Sequence, residues 1–285
     1  MPLCRVTCRR ALGPALMLLS TGWAAAVSAG VPGDGASGPA SWRDLGPSPV
    51  DGIRVGLEVE TVRRTLEVDG GASPVLFEAP FYPGLKLRLD LLPVAWFAPS
   101  SRLSGLALSF ETSKHDLDTR TEVPDGQSTR TISIPTRHDA SWFGASYPFS
   151  PLRELNITPS LGWRSVEFAL GGNPIYTSSF YQGVTVGLAA DWLAGPGLSL
   201  GGTVELRPAV DMGSTAAAFG GDPDVLGWGA GLEAAWAFDP QLKLRGAARY
   251  ERYSGSFSAP AEGTGEGAEL VDGVTSFVVG LGWSY

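Results

Sequence analysis

Alternation with a period of two, with charge confined to one parity, restricts this chain more than any other feature. Ile53, Val55, Leu57 and Val59 alternate with Arg54, Gly56, Glu58 and Glu60. Leu85, Leu87, Leu89 and Leu91 alternate with Lys86, Arg88 and Asp90. Successive side chains of a strand point to opposite faces, so each stretch predicts a strand with one apolar and one polar face. The same pattern runs through 184–192, 198–207, 226–236, 242–251 and 276–285. Weaker strands are expected over 102–112, about 141–149 and 155–168. In the last, Ile157, Leu161 and Trp163 share one face while Val166 and Phe168 have the opposite parity. That switch predicts a bulge near Ser165, or the strand leaving a bilayer. The expected total is ten strands.

After position 30 no run of 18 apolar residues occurs, so no transmembrane helix is expected. Gly (38) and Pro (22) recur in every segment, which argues against a helical bundle. Charged residues make up 18% and aromatics 10%, a composition that excludes a disordered chain. The formal charge is -8 and there is no basic block, so nucleic acid is not an expected partner.

Residues 1–29 read as a secretory signal peptide. Arg5, Arg9 and Arg10 form the positive n-region, Ala11 to Val27 the apolar h-region, and Val27-Ser28-Ala29 the cleavage site. A membrane anchor fits less well, because the continuous strongly apolar stretch, Ala15 to Leu19, is short. A lipoprotein fits less well still, since neither Cys4 nor Cys8 ends the h-region. Cleavage removes three of the 21 bases and none of the 29 acids, taking the net charge from -8 to -11. It also removes both Cys, which suits an oxidising compartment. Residues 30–50, rich in Gly, Pro and Ser, read as a flexible periplasmic linker ahead of a barrel over 51–285.

Connections alternate in length. Short ones are expected near 97–102, 148–154, 193–197 and 239–241, and long ones near 64–83, 113–140, 169–179, 211–224 and 252–273. The expected fold is therefore all-β: a transmembrane antiparallel up-and-down barrel of about ten strands, with short periplasmic turns and long extracellular loops. A soluble sandwich or lipocalin-like barrel would alternate too, but the aromatics weigh against it. Phe97, Tyr147, Phe149, Trp192, Trp236, Phe238, Trp283 and Tyr285 fall at the short-turn end. Phe81, Tyr82, Phe110, Phe168, Phe180, Trp228, Tyr250 and Phe277 fall at the other. Two aromatic belts flanking an aliphatic band suit a bilayer.

The chain ends in FVVGLGWSY, with Trp283 in the penultimate aromatic place and Tyr285 last. This resembles the C-terminal assembly signal of Gram-negative outer-membrane β-barrel proteins, although Phe is more usual at the end. The resemblance covers about 51–285 and implies outer-membrane lipid and, through the C-terminal strand, the barrel-assembly machinery as partners.

With the polar parity turned inward, the lumen holds eight acids: Glu58, Glu60, Asp90, Glu111, Asp191, Glu205, Glu233 and Glu251. It also holds eight bases: Arg54, Lys86, Arg88, Arg164, Arg207, Lys243, Arg245 and Arg249. A base on the lipid face at the midplane costs about 2–4 kcal/mol, so these charges must face inward. There they are costly unless paired, and the balanced set permits pairing. The expected function is a structural or surface-interaction barrel with a plugged lumen. A narrow channel and a binding cavity are the alternatives. No cofactor or metal is expected, and the external ligand is not legible.

Catalytic readings are weaker. His115 and His138 lie in the expected 113–140 loop with Asp116, Asp118 and Asp139 nearby, a faint similarity to omptin proteases that matches no motif residue by residue. Solvated loop histidines are expected, and a general base must come within hydrogen-bond reach of its substrate. A lipid-modifying barrel would need Ser and His together on the outer wall, and neither His falls in an expected strand. Gly220-Gly221-Asp222-Pro223-Asp224 lacks the spaced acids of a calcium loop. Gly227, Gly229 and Gly231 share one strand face with no helix following, so they read as small inward residues. Asn156-Ile157-Thr158 matches a glycosylation sequon within an expected strand. No enzymatic activity is expected.

Overall fold

The computed structural model describes residues 52–69, 75–125, 128–172, 178–218, 223–239, 241–257 and 268–284. The expected signal peptide, linker and Tyr285 lie outside them, as do Gly220 to Asp222. Ten antiparallel strands close into a barrel in which every strand pairs with its sequence neighbours. They are β1 (Ile53–Asp69), β2 (Val75–Leu91), β3 (Ala107–Asp125), β4 (Ser128–Ser146) and β5 (Leu155–Leu170). Then follow β6 (Ser179–Gly195), β7 (Leu198–Arg207), β8 (Pro223–Ala237), β9 (Leu242–Phe257) and β10 (Glu269–Ser284). β1 closes the barrel on β10, from Arg54 opposite Ser284 to Asp69 opposite Glu269. Closure leaves no edge within an apolar medium, where unpaired backbone groups cannot be satisfied by water.

The strands are longer than the alternation suggests. β1 and β2 run through most of the expected 64–83 loop, and β3 and β4 through nearly all of 113–140. The expected contrast between short turns and long loops is therefore not what the chain builds at these two places. The strands instead project far past the apolar band. β2 pairs with β3 only from Leu85–Lys114 to Leu91–Leu108, and β5 leaves β4 at Thr136–Leu170, so β3 and β4 continue beyond Leu117–Thr136 as a two-stranded ribbon. At the other end, the 92–106 connection is not tight. It carries a short helix, α1 (Pro93–Phe97), whose Phe97 is 87% exposed. Leu92, Ala95 and Ala107 form a small core beneath it.

No bulge occurs near Ser165. β5 keeps continuous register with β4 and β6 across that position. The register shifts fall at Val62/Arg64 against β2 and at Leu193/Gly195 against β7. Val166 and Phe168 change parity because the strand has changed surroundings. Lower down, apolar residues such as Leu161 and Trp163 face outward, whereas Val166 and Phe168 are buried inside. β1 inverts in the same way: Leu57 and Val59 are exposed, but Val62 and Leu66 are buried. Beyond the inversion the outer face is polar, with Arg63 and Glu78 as an exposed ion pair. For the same reason Tyr82 and Phe168, expected in an aromatic belt, sit in the interior. Phe110, Trp228, Tyr250 and Phe277 do face outward at that end, as do Phe149, Trp192, Trp236, Phe238 and Trp283 at the short-turn end.

Candidate functional site

The interior has two zones. The lower zone, open at the short-turn end, is a cavity of about 980 Å³. Its mouth is formed by Pro148, Ser150, Leu152 and Arg153 of the β4–β5 connection, with Leu193, Ser199 and Ser284. Its inner limit is the layer of Glu60, Lys86, Glu111, Arg164 and Arg249.

The sixteen charged residues assigned to the lumen all face inward, and register brings most of them together. Glu58 lies opposite Lys86 on β2, and Arg88 opposite Glu111 on β3. Lys86 Nζ is 2.9 Å from Glu111, while Arg88 lies 3.2 Å from Asp90 and 3.7 Å from Glu111. Arg245 bridges Glu58 at 2.5 Å and Glu233 at 2.7 Å. Around Glu251 gather Arg164 at 2.5 Å, Arg207 at 3.2 Å and Arg249 at 2.7 Å. Arg207 and Arg249 both reach Glu205 as well. Arg54, Asp191 and Lys243 line the cavity nearer its mouth. Gly227 makes room for this cluster, since a Cβ there would press on the Tyr253 ring at 3.1 Å and on Arg207 at 3.2 Å. Trp142, not singled out by the alternation, also lines the cavity.

The ion pairs therefore line a cavity, and a different set of residues closes it. The upper zone is packed solid. Arg64 and Asp272 are both 0% exposed. Arg64 Nη2 lies 2.5 Å from Asp272 Oδ2, and Nε donates to Oδ1 at 2.9 Å. Arg64 Nη2 also donates to Ser179 Oγ. The Tyr181 hydroxyl donates to Asp272 Oδ2 at 2.8 Å. The Arg64 guanidinium lies 3.9 Å over the Phe168 ring, a cation–π contact that holds its apolar face. Phe168 stacks on His138 at 4.1 Å, and His138 on His115 at 4.9 Å, with Tyr82 edge-on to both histidines. Tyr181 stacks on Tyr253 at 4.2 Å. Val62, Leu66, Val166, Val210, Met212 and Leu270 fill the remaining space.

The histidines are thus not solvated loop residues. They lie on paired strands β3 and β4, opposite one another, and are 1% and 4% exposed. His115 Nδ1–H donates to the His138 carbonyl at 3.3 Å, and Nε2 faces Glu60 at 3.5 Å. Gly84 admits the His115 ring, which a Cβ there would strike at 2.1 Å. Asp139 pairs outward with Arg137 at 2.9 Å rather than with either histidine. Asp116 is exposed, and the Asp118 side chain lies outside the described residues.

Residues 208–218, after β7, contribute to the closure. Val210 and Met212 insert into the core, and Asp211 exchanges backbone hydrogen bonds with Gln182, both 2.8 Å. A 3-10 turn, Gly213–Ala218, follows. The Asp211 carboxylate accepts from the Gly213 N–H and the Gln182 amide, which lowers its pKa below the usual range. Its role is to fix the turn.

No family model and no curated protein matches the chain. Among solved structures, the barrel is similar to the outer-membrane protease OmpT from Escherichia coli. The TM-score is 0.55 at 9% identity, covering 83% of this chain and 97% of that one. It also matches the P. putida toluene transporter TodX, at TM-score 0.37 and 10% identity over 82% and 90% of the two chains. Ail, the attachment invasion locus protein of Yersinia pestis, matches at TM-score 0.31 and 8% identity over 82% and 99%. At 9% identity, what the chain shares with OmpT is the fold, that of outer-membrane β-barrel proteins.

Proposed function

We propose that the chain is an exported outer-membrane barrel that conducts no solute, sealed toward the outside and open as a blind vestibule toward the periplasm. One observation carries this reading. The Arg64–Asp272–Tyr181 layer, with Phe168, Met212 and Leu270, fills the interior above the vestibule with side chains that are almost wholly buried. The apolar outer band meets lipid, and the strand ends beyond it, with the β3–β4 ribbon, form the surface that meets the exterior. This is a structural or surface-interaction role. The reading assigns no catalysis to His115 and His138, because both rings are enclosed. It takes residues 1–29 as the cleaved export signal and the C-terminal strand as the element handled by the assembly machinery.

The test is single-channel recording in planar bilayers. The parent barrel is expected to show no steady conductance above background. A stable, ohmic open state would replace this reading with the narrow channel, which the cavity of about 980 Å³ would then serve as its inner half.

A further inference from the structure

The vestibule has two unlike walls. On β1, β2, β8 and β9 it is charged, through residues such as Glu58, Arg88, Glu233 and Arg245. On β3 to β5 charge is confined to Glu111 and Arg164 at the inner end, and the rest of this wall bears Ser109, Ser146, Thr158 and Ser160 around one indole, Trp142. That indole has a prepared seat. Gly144 and Gly162 are paired across β4 and β5, and both are inward. A Cβ on Gly144 would meet the Trp142 ring at 2.6 Å, and one on Gly162 would meet it at 2.9 Å. Two facing glycines thus let the ring lie back against the wall and still line the cavity. The lining charges nearly balance, which disfavours a strongly charged ligand.

We propose that the vestibule binds a neutral saccharide from the periplasmic side, with the C–H face of a sugar ring stacked on Trp142. Its hydroxyls then meet the serine and threonine wall on one side and the guanidinium and carboxylate groups on the other. A pocket that combines an aromatic surface with a few convergent polar groups is the usual form of a small-molecule site, and this volume lies within the usual range. A sugar suits it because it presents an apolar C–H face and a ring of hydroxyls together. The inference stands apart from whether the barrel conducts.

The test is isothermal titration of the full, refolded barrel with maltose, N,N′-diacetylchitobiose and glucose, and with glycine betaine as a zwitterionic control. Saturable binding of at least one saccharide is expected. Trp142→Ala should weaken it by more than about tenfold, as loss of an aromatic platform does, while Trp142→Tyr keeps it within about threefold. Trp192→Ala, on the lipid face, should leave it unchanged. Thr158→Val keeps the side-chain volume and should weaken binding several-fold, which covers the case in which Trp142→Ala does not fold. The inference is overturned if the parent binds none of the three saccharides or only betaine. It is equally overturned if Trp142→Ala binds as the parent does, or if Ala and Tyr at this position lose binding equally.

Discussion

The lower and upper halves of the interior both bury charge, and they do so in opposite ways. In the vestibule many pairs share partners, and members such as Arg88, Glu233 and Arg249 remain partly open to the cavity although Glu58, Arg207 and Glu251 are nearly enclosed. Arg245, for example, keeps 20% of its side-chain surface. In the seal a single pair, Arg64–Asp272, has none and is enclosed by rings and aliphatic groups. Burial decides what such a pair is worth when one partner is lost. A wet pair loses attraction and regains hydration, whereas a dry one leaves an orphaned charge that cannot be hydrated.

The largest expected effect follows from that orphan. Asp272→Ala should lower stability by about 3–5 kcal/mol in urea unfolding from lipid vesicles, since it strands Arg64 in a dry site. It should also bring intermittent conductance to the barrel. Next comes Leu270→Ala, which leaves the charges in place but opens a void in the same layer. A cost of about 2–4 kcal/mol is expected for truncating so buried a leucine. Arg245→Ala, in the vestibule, should cost about 1–3 kcal/mol, the scale of lost charged hydrogen bonds with water replacing part of them. If Arg245→Ala proved as damaging as Asp272→Ala, the vestibule would be dry and the contrast would collapse. The smallest effect belongs to Glu78→Ala. Its pairing with Arg63, at 3.8 Å and half exposed on both sides, should be worth about 0–1 kcal/mol.

The same two zones separate what was legible in the sequence from what was not. Where lipid surrounds the barrel, any charge must turn inward, so the strict parity of residues such as Leu57 and Glu58 reports both strand and face. Above the lipid, water takes the outer face and the apolar parity inverts. Val62 and Leu66 turn inward while Arg63 and Glu67 turn outward, so the segment averages to a mixed composition that reads as a loop. Arg64, Tyr181 and Asp272 were missed for this reason, and His115 and His138 were misplaced with them. The signal was present at Val166 and Phe168, where the change of parity was visible. It marks the point where a strand leaves the apolar band, and reading it along every strand would have located the seal. Trp142 was hidden differently: a lone aromatic on the polar parity has no periodic signature, and only Gly144 on its own strand and Gly162 on the next give it away.

The apolar band is not equally tall around the barrel. On β8 the outward apolar residues run from Leu226 to Trp236, whereas among the described residues of β10 they run from Phe277 to Trp283. At about 3.3 Å per residue and a tilt of about 40°, the heights are about 25 Å and about 15 Å. A cylinder with one tall side and one short side cannot stand upright in a slab of uniform thickness. It leans until the mismatch is shared, or the lipid beside the short side compresses, each at a modest energetic cost per ångström. Compressed lipid would lie along the strands with a short band, β10 among them, so the line where the barrel closes on itself borders bilayer thinner than that beside β8.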